Sequence, residues 1–145
     1  MLEAGVLRDT KPDAALMIHI TPGMPFETGT VIVCDGGVSA PAADYFTINV
    51  HGKGCHGSTP HQGVDSITAA AHILVALQEI SAREMSIADE GIITIGSFNG
   101  GSSGNVIADS TVLKGTLRAF DDDLRQHFKN RIEEISVNVG KALRC

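Results

Sequence analysis

The sequence predicts an α+β fold, a ferredoxin-like split β-α-β-β-α(-β) unit lacking its last strand and preceded by two further strands. Three observations carry this. In residues 45–51, Phe46, Ile48 and Val50 alternate with Tyr45, Thr47, Asn49 and His51, the period-two mark of a half-buried strand with the first set inward. Two long stretches repeat apolar residues at three- and four-residue steps: Ile67, Ala70, Ala71, Leu74, Leu77 and Ile80, then Leu124, Phe128, Ile132, Ile135 and Val139. Each is the stripe of an amphipathic helix. Between them lie two strand-like runs, GIITIGSF at 91–98 and TVLKGTLRAF at 111–120.

Taken in order, residues 12–21 (PDAALMIHIT) and 28–34 (TGTVIVC) are short, apolar and rich in β-branched residues, and the breaker-laden PGMPFE separates them. They predict two buried strands with no helix to cover them. Residues 1–7 read as the end of a helix too short to stand alone. The Gly/Pro/Ala-rich stretch 35–43 reads as a hinge. Asp65 is placed to cap the first long helix, whose other face (Ile73, Val75, Ala76) is also apolar and wants cover. Asp121, Asp122 and Asp123 put carboxylates on the first turn of the second, where they favour its dipole. The expected division is 1–40 and 41–145, with the missing last strand and the two leading strands together suggesting a fragment of a larger protein. An absent closing strand also leaves the edge of the 45–50 strand unpaired, which predicts at least a dimer.

Composition narrows the function. A formal charge of −6 with scattered lysine and arginine leaves no basic stripe for phosphates, so nucleic acid is not an expected partner. No run approaches a membrane span and the N-terminus has no signal pattern, so no membrane partner is expected and the expected address is the cytoplasm. Cys34, Cys55 and Cys145 are odd in number and widely spaced, and are expected to be free thiols.

The most costly stretch is 51–66, HGKGCHGSTPHQGVDS, which sets three imidazoles, one proline and repeated glycines between a strand and a helix that a short turn would join. It is a candidate site. His56 and His61 lie five apart with no acidic neighbour, so they form no H-E-x-x-H metal motif, and stand as ligand-contacting or simply loop histidines. The glycine-rich GGSSGN at 100–105 lacks the Lys-Ser/Thr pair of a phosphate loop. Asn105 at its end can offer an amide to a ligand carboxylate or serve turn chemistry. Arg118, inside an otherwise apolar strand, must find a partner, line a cleft or face the surface. His19, among apolar residues, reads as a core histidine.

Residues 52–80 and 100–135 resemble the lid and dimerisation domain of the metal-dependent amidohydrolases and metallopeptidases that include hippurate hydrolase, bacterial N-acyl-amino-acid deacylases and auxin-conjugate hydrolases. The family pattern GKGxHxxxPHxGxDPI is matched by GKGCHGSTPHQGVDSI, and GGxxxNVIPDxxxLxGTxRxF by GGSSGNVIADSTVLKGTLRAF. Upstream, EAGVLRDTKPDAALMIHITPGMPFETGTV is similar to the end of the family's catalytic domain. Departures are Cys55 for glycine, and Ser66 and Ala108 where prolines are common. The family's other metal ligands and its tandem glutamates have no counterpart.

The resemblance implies a metal-dependent hydrolase of N-acyl amino acids or small peptides, of which this chain is the lid with a strip (residues 1–40) of catalytic domain. It implies two divalent metals (zinc, manganese, nickel or cobalt) in the parent and none firmly held by this chain alone, which is then inactive by itself. It implies His19 as a metal ligand, and His56 as the lid histidine that reaches across a homodimer or higher oligomer to polarise the scissile carbonyl. Asn105 and Arg118 become contacts to the substrate carboxylate, and His61 a further substrate contact. The rival expectation is a stand-alone oligomerisation or small-molecule-binding module without catalysis.

Overall fold

A computed structural model describes residues 3–14, 16–20, 23–33, 36–37 and 40–145. Contacts divide the chain into two units, Met1–Asp35 and Gly36–Cys145.

Among the described residues of the first unit the one helix is α1 (Val6–Thr10), between Gly5 at φ 83° and Lys11 at φ 41°, both left-handed. The two strands expected over 12–21 and 28–34 are absent among the described residues of those stretches. Their apolar side chains stand in solvent, with Leu16 88%, Ile18 87% and Val31 85% exposed. His19 is likewise exposed rather than a core residue. Propensity alone makes no strand. A strand's N–H and C=O groups need a neighbour to pair with, and the described residues supply none to these segments.

The second unit carries the predicted order. It runs β1 (Ala42–His51), β2 (Cys55–His56), a 3-10 turn (Pro60–Gln62), α2 (Ser66–Glu79) prolonged by a π-helical turn (Ile80–Glu84), β3 (Gly91–Gly100), β4 (Val106–Ile107), β5 (Ser110–Ala119) and α3 (Asp122–Ala142). The main sheet is antiparallel in the order β1-β5-β3, so β5 is central and β1 is an edge, as a split unit without its closing strand requires. A bulge at Ile95/Ser97 shifts the β3 register.

Along β5 the buried residues Thr111, Leu113, Leu117 and Ala119 face the helices, whereas Lys114 and Arg118 belong to the opposite face. Gly115, in that buried row, leaves room for the Phe46 ring, whose Cζ would lie 2.4 Å from any Cβ placed there. In β1 the alternation is the expected one. Phe46 and Ile48 are half-buried and Val50 is buried, while Tyr45 is 79% exposed.

Each long helix starts where a carboxylate satisfies its free amides. Asp65 Oδ1 accepts from the amides of Ile67 (2.9 Å) and Thr68 (3.1 Å), and Asp121 Oδ1 from that of Leu124 (2.9 Å). The α3 stripe is the predicted one, with Phe128 and Ile132 buried and Leu124, Ile135 and Val139 packed against them. The α2 stripe is rotated from expectation. Ser66, Ala69, Ala70, Ile73, Leu77 and Ile80 are buried, whereas Ile67 and Ala71 are exposed. Both faces of this helix are apolar, and its packing against α3 as well as β5 decides which one turns inward.

Two bidentate ion pairs hold α3 in place. Arg125 grips Asp44 of β1 (Nε to Oδ2 2.6 Å, Nη2 to Oδ1 2.8 Å), and Arg131 grips Glu84 at the end of the π turn (Nε to Oε2 2.8 Å, Nη2 to Oε1 2.7 Å). His127 Nε2 lies 3.0 Å from the same Glu84 carboxylate. Cys55 and Cys145 are free thiols, and Cys34 lies outside the described residues. Among the described residues no helix is long and apolar enough to cross a membrane.

The hydrogen bonds from Arg125 and Arg131 hold the Asp44 and Glu84 carboxyls below their ordinary values. A carboxyl whose folded pKa is depressed contributes stability that is present above its unfolded value and lost as pH falls through the folded one. The urea midpoint of the second unit is therefore expected to stay level from about pH 7 to about 5 and to drop below about pH 4. Arg131→Met should be less stable than the wild type at neutral pH and converge with it in acid; a constant gap at all pH values would count against the Glu84 pair.

Candidate functional site

The 51–66 and 100–110 loops meet at one end of the sheet, and a short ladder joins them. β2 and β4 pair antiparallel, Cys55 opposite Ile107 and His56 opposite Val106. The ladder is extended by the Gly57 amide donating to Asn105 O (2.8 Å) and the Gly52 amide to Asp109 O (2.8 Å). Within the first loop Lys53 and Val64 exchange amide bonds of 2.8 and 2.9 Å. Glycine is required at these approaches: a Cβ on Gly52 would stand 2.2 Å from Val64 O, and one on Gly57 2.9 Å from Asn105 O.

This ladder brings the backbone of residues 56–57 against that of residues 105–106, and His56 and Asn105 are both exposed. The Ser58 amide, which can only donate, points to His56 Nδ1 (3.2 Å), and the Ser58 hydroxyl lies 2.8 Å from the same atom. Nδ1 is therefore an acceptor, and the neutral ring carries its proton on Nε2, which is then a donor. Asn105 Oδ1 accepts from the Ser103 hydroxyl (2.6 Å), which leaves its Nδ2 as the group to offer a ligand. N–H donors on two paired, exposed loops suit an oxyanion or carboxylate.

The other predicted residues are placed differently. His61 is exposed on the 3-10 turn that closes the same loop. Arg118 is at the far end of β5, opposite Ala43 and Ile92; its guanidinium donates to Leu117 O (2.9 Å) and lies 5.7 Å from the Tyr45 ring centroid. Eight residue steps of β5 at about 3.3 Å each put Arg118 roughly 26 Å from Ser110, where the Asn105 loop enters the strand. The loops of His56 and Asn105 are brought together; Arg118 is not brought to them. His19 belongs to the other unit, and among the described residues no three His, Cys, Asp or Glu side chains gather into a metal site. The residues described do not by themselves fit a metal.

Two features escaped the sequence. The β2–β4 ladder is only two residues on each side, too short for any periodicity. The glycines flanking it were the available signal, since each marks a backbone pressed against backbone. The Asp44–Arg125 and Glu84–Arg131 pairs join residues 81 and 47 apart and leave no local trace.

Residues 41–143 match the peptidase dimerisation domain. The chain belongs to that family. This dimerisation domain is similar to the N-acetyldiaminopimelate deacetylase of Bacillus cytotoxicus, 35% identical over all of this chain and 38% of the relative. It is 38% identical to the N-acetyl-L-cysteine deacetylase of Bacillus subtilis over 90% of this chain and 30% of that protein. Among solved structures, a putative aminohydrolase from methicillin-resistant Staphylococcus aureus superposes with a TM-score of 0.69 at 33% identity, covering 71% of this chain and 28% of its own. The chain thus spans about a third of the length of these deacetylases, 38% of the first and 30% of the second. The ferredoxin-like architecture of the dimerisation domain is the one its relatives carry.

In this domain Gly52→Ala should open the Lys53–Val64 pairing, because neither backbone can move away cheaply. Amide exchange at Lys53 and Val64 is expected to rise while the centre of β5 keeps its protection, with a loss of about 1–3 kcal/mol in stability. Unchanged exchange at both amides would show that the loop has slack.

Proposed function

We propose that this chain is the lid and dimerisation domain of a longer metal-dependent amidohydrolase that releases an amino acid from an N-acyl conjugate. The observation that carries the reading is the β2–β4 ladder, which ties together the loop bearing His56, with its Nε2–H, and the loop bearing Asn105, with its free amide donor. The relatives' names support the substrate class, since both describe removal of an acetyl group from the nitrogen of an amino acid.

In this reading His56 donates from Nε2 to the carbonyl oxygen of the scissile amide, where negative charge develops in the transition state. Asn105 Nδ2 and the guanidinium of Arg118 hold the substrate carboxylate, and His61 borders the same substrate. Residues 1–40 belong to the catalytic domain and His19 to its metal ligands; the metals, when bound, supply an activated water. The steps assigned here to the lid need none of them.

One small substrate cannot touch both ends of β5 in a single copy. With roughly 26 Å between Arg118 and the Asn105 loop, the lid groups meet one substrate only if one copy supplies His56 and Asn105 and its partner Arg118. A two-fold dimer makes two such sites.

A second reading, a module that oligomerises or binds a small apolar molecule without catalysis, is favoured by the groove between β1 and α3. There about 400 Å³ is lined by Phe46, Ile48, Leu117, Ile132 and Val137 among others.

In the whole enzyme, His56→Ala is expected to lower kcat by about 10²–10³ with little change in KM, and Arg118→Ala mainly to raise KM for substrates with a free carboxylate. Mixed and allowed to exchange subunits, the two variants should recover about a quarter of wild-type activity below saturation, because half the dimers are hybrid and each hybrid has one intact site of two. No recovery on proven exchange would place all three residues in one copy. The 145-residue chain alone is expected to release no amino acid from N-acetylated substrates. Metal-dependent turnover by it, lost in His19→Ala, would overturn the division of labour.

A further inference from the structure

The ladder between the 51–66 and 100–110 loops joins them to each other, so the pair can move as one body unless something ties it to the sheet. That tie is a chain of two buried hydroxyls. Ser66, the first residue of α2, is 0% exposed, and Thr111, the second residue of β5, is 1% exposed. The Ser66 hydroxyl donates to Ala108 O (3.0 Å), and the same carbonyl is 3.4 Å from the Ser66 amide. Ser66 Oγ is 2.9 Å from Thr111 Oγ1. A serine has one hydroxyl proton, and Ala108 takes it, so Thr111 must donate to Ser66. The direction of the chain is thereby fixed, from Thr111 to Ser66 to the carbonyl just past β4.

The surroundings are built around these hydroxyls. Gly100, the register partner of Thr111 on β3, would put a Cβ 2.3 Å from Thr111 Oγ1. Val50, at the end of β1, is the register partner of Thr111 on the other side. The pin therefore joins the end of β1, the end of β3, the start of β5 and the start of α2 to the one loop carbonyl that follows the His56–Val106 pairing.

We propose that Ser66 and Thr111 are positioning residues that set where His56 and Asn105 stand relative to the sheet. The inference rests on the roles proposed for those two residues. Neither hydroxyl reaches ligand; each acts through the Ala108 carbonyl. Because His56 and Asn105 ride on one ladder, loss of the pin should displace both together. Its kinetic mark is then a joint fall in kcat and rise in KM, unlike the kcat effect of His56→Ala.

Thr111→Val tests this, since it keeps the methyl and the volume and removes only the donor, and Thr111→Ser, which keeps the donor, is the rescue. In the 145-residue chain, amide exchange at Gly52 and Gly57 is expected to quicken roughly tenfold in Thr111→Val relative to the centre of β5, and to return toward wild type in Thr111→Ser. The His56 ring 15N shifts should move with it. In the whole enzyme, kcat should fall and KM rise together, each about three- to tenfold, and Thr111→Ser should restore both. A uniform rise in exchange across β5 and α2 overturns the proposal, as does a Val variant with unchanged loop exchange. If exchange follows the expectation while His56→Ala leaves turnover intact, the pin stands and the catalytic reading of His56 falls.

Discussion

Everything in the second unit hangs from β5, which must satisfy hydrogen-bonding groups along both edges. It does so over nearly its whole length, with β1 on one side and β3 on the other. An interior strand is the costliest place to leave an amide unpaired, so the two outer strands are held in register by obligation as much as by attraction. The two helices then cover one face, and the buried row of β5 from Thr111 to Ala119 becomes the floor of the core. The opposite face stays open, with Arg118 and Tyr45 on it.

The same strand decides what the site can be. One end of β5 receives the loop that carries Asn105, and the other end carries Arg118. A rigid strand holds its two ends apart as firmly as it holds its neighbours in place. On the roles proposed above, substrate contacts at both ends would demand a second copy, and the dimerisation named in the family's description would acquire a chemical purpose.

Electrostatics does a different job from hydrogen bonding in the ladder. Arg125 with Asp44 and Arg131 with Glu84 fasten α3 to β1 and to the end of α2, at partly buried positions where a planar guanidinium meets a carboxylate with two bonds. These pairs fix how the helices lie on the sheet. The His56 loop, by contrast, is shaped by backbone bonds and by glycines whose missing side chains allow two backbones to touch. The orientation of the His56 ring comes from Ser58, whose amide fixes its tautomer.

By itself the sequence determined the order of the long strands and helices in residues 42–142, the inward rows of β1 and α3, the caps at Asp65 and Asp121, and the likeness of two glycine-rich loops to a hydrolase lid. These are local properties: a period, a cap or a motif is complete within a few residues. Tertiary structure decided the rest. It turned α2 so that Ile73 faces inward, because both faces were apolar and only packing against α3 distinguishes them. It left residues 16–20 and 30–33 without strands, although their composition favours them, because a strand exists only with a partner. It paired His56 with Val106, and Ser66 with Thr111, across some fifty and forty-five residues of chain. Such contacts are fixed by where β5 brings the backbone, and no local pattern records where a distant segment will arrive.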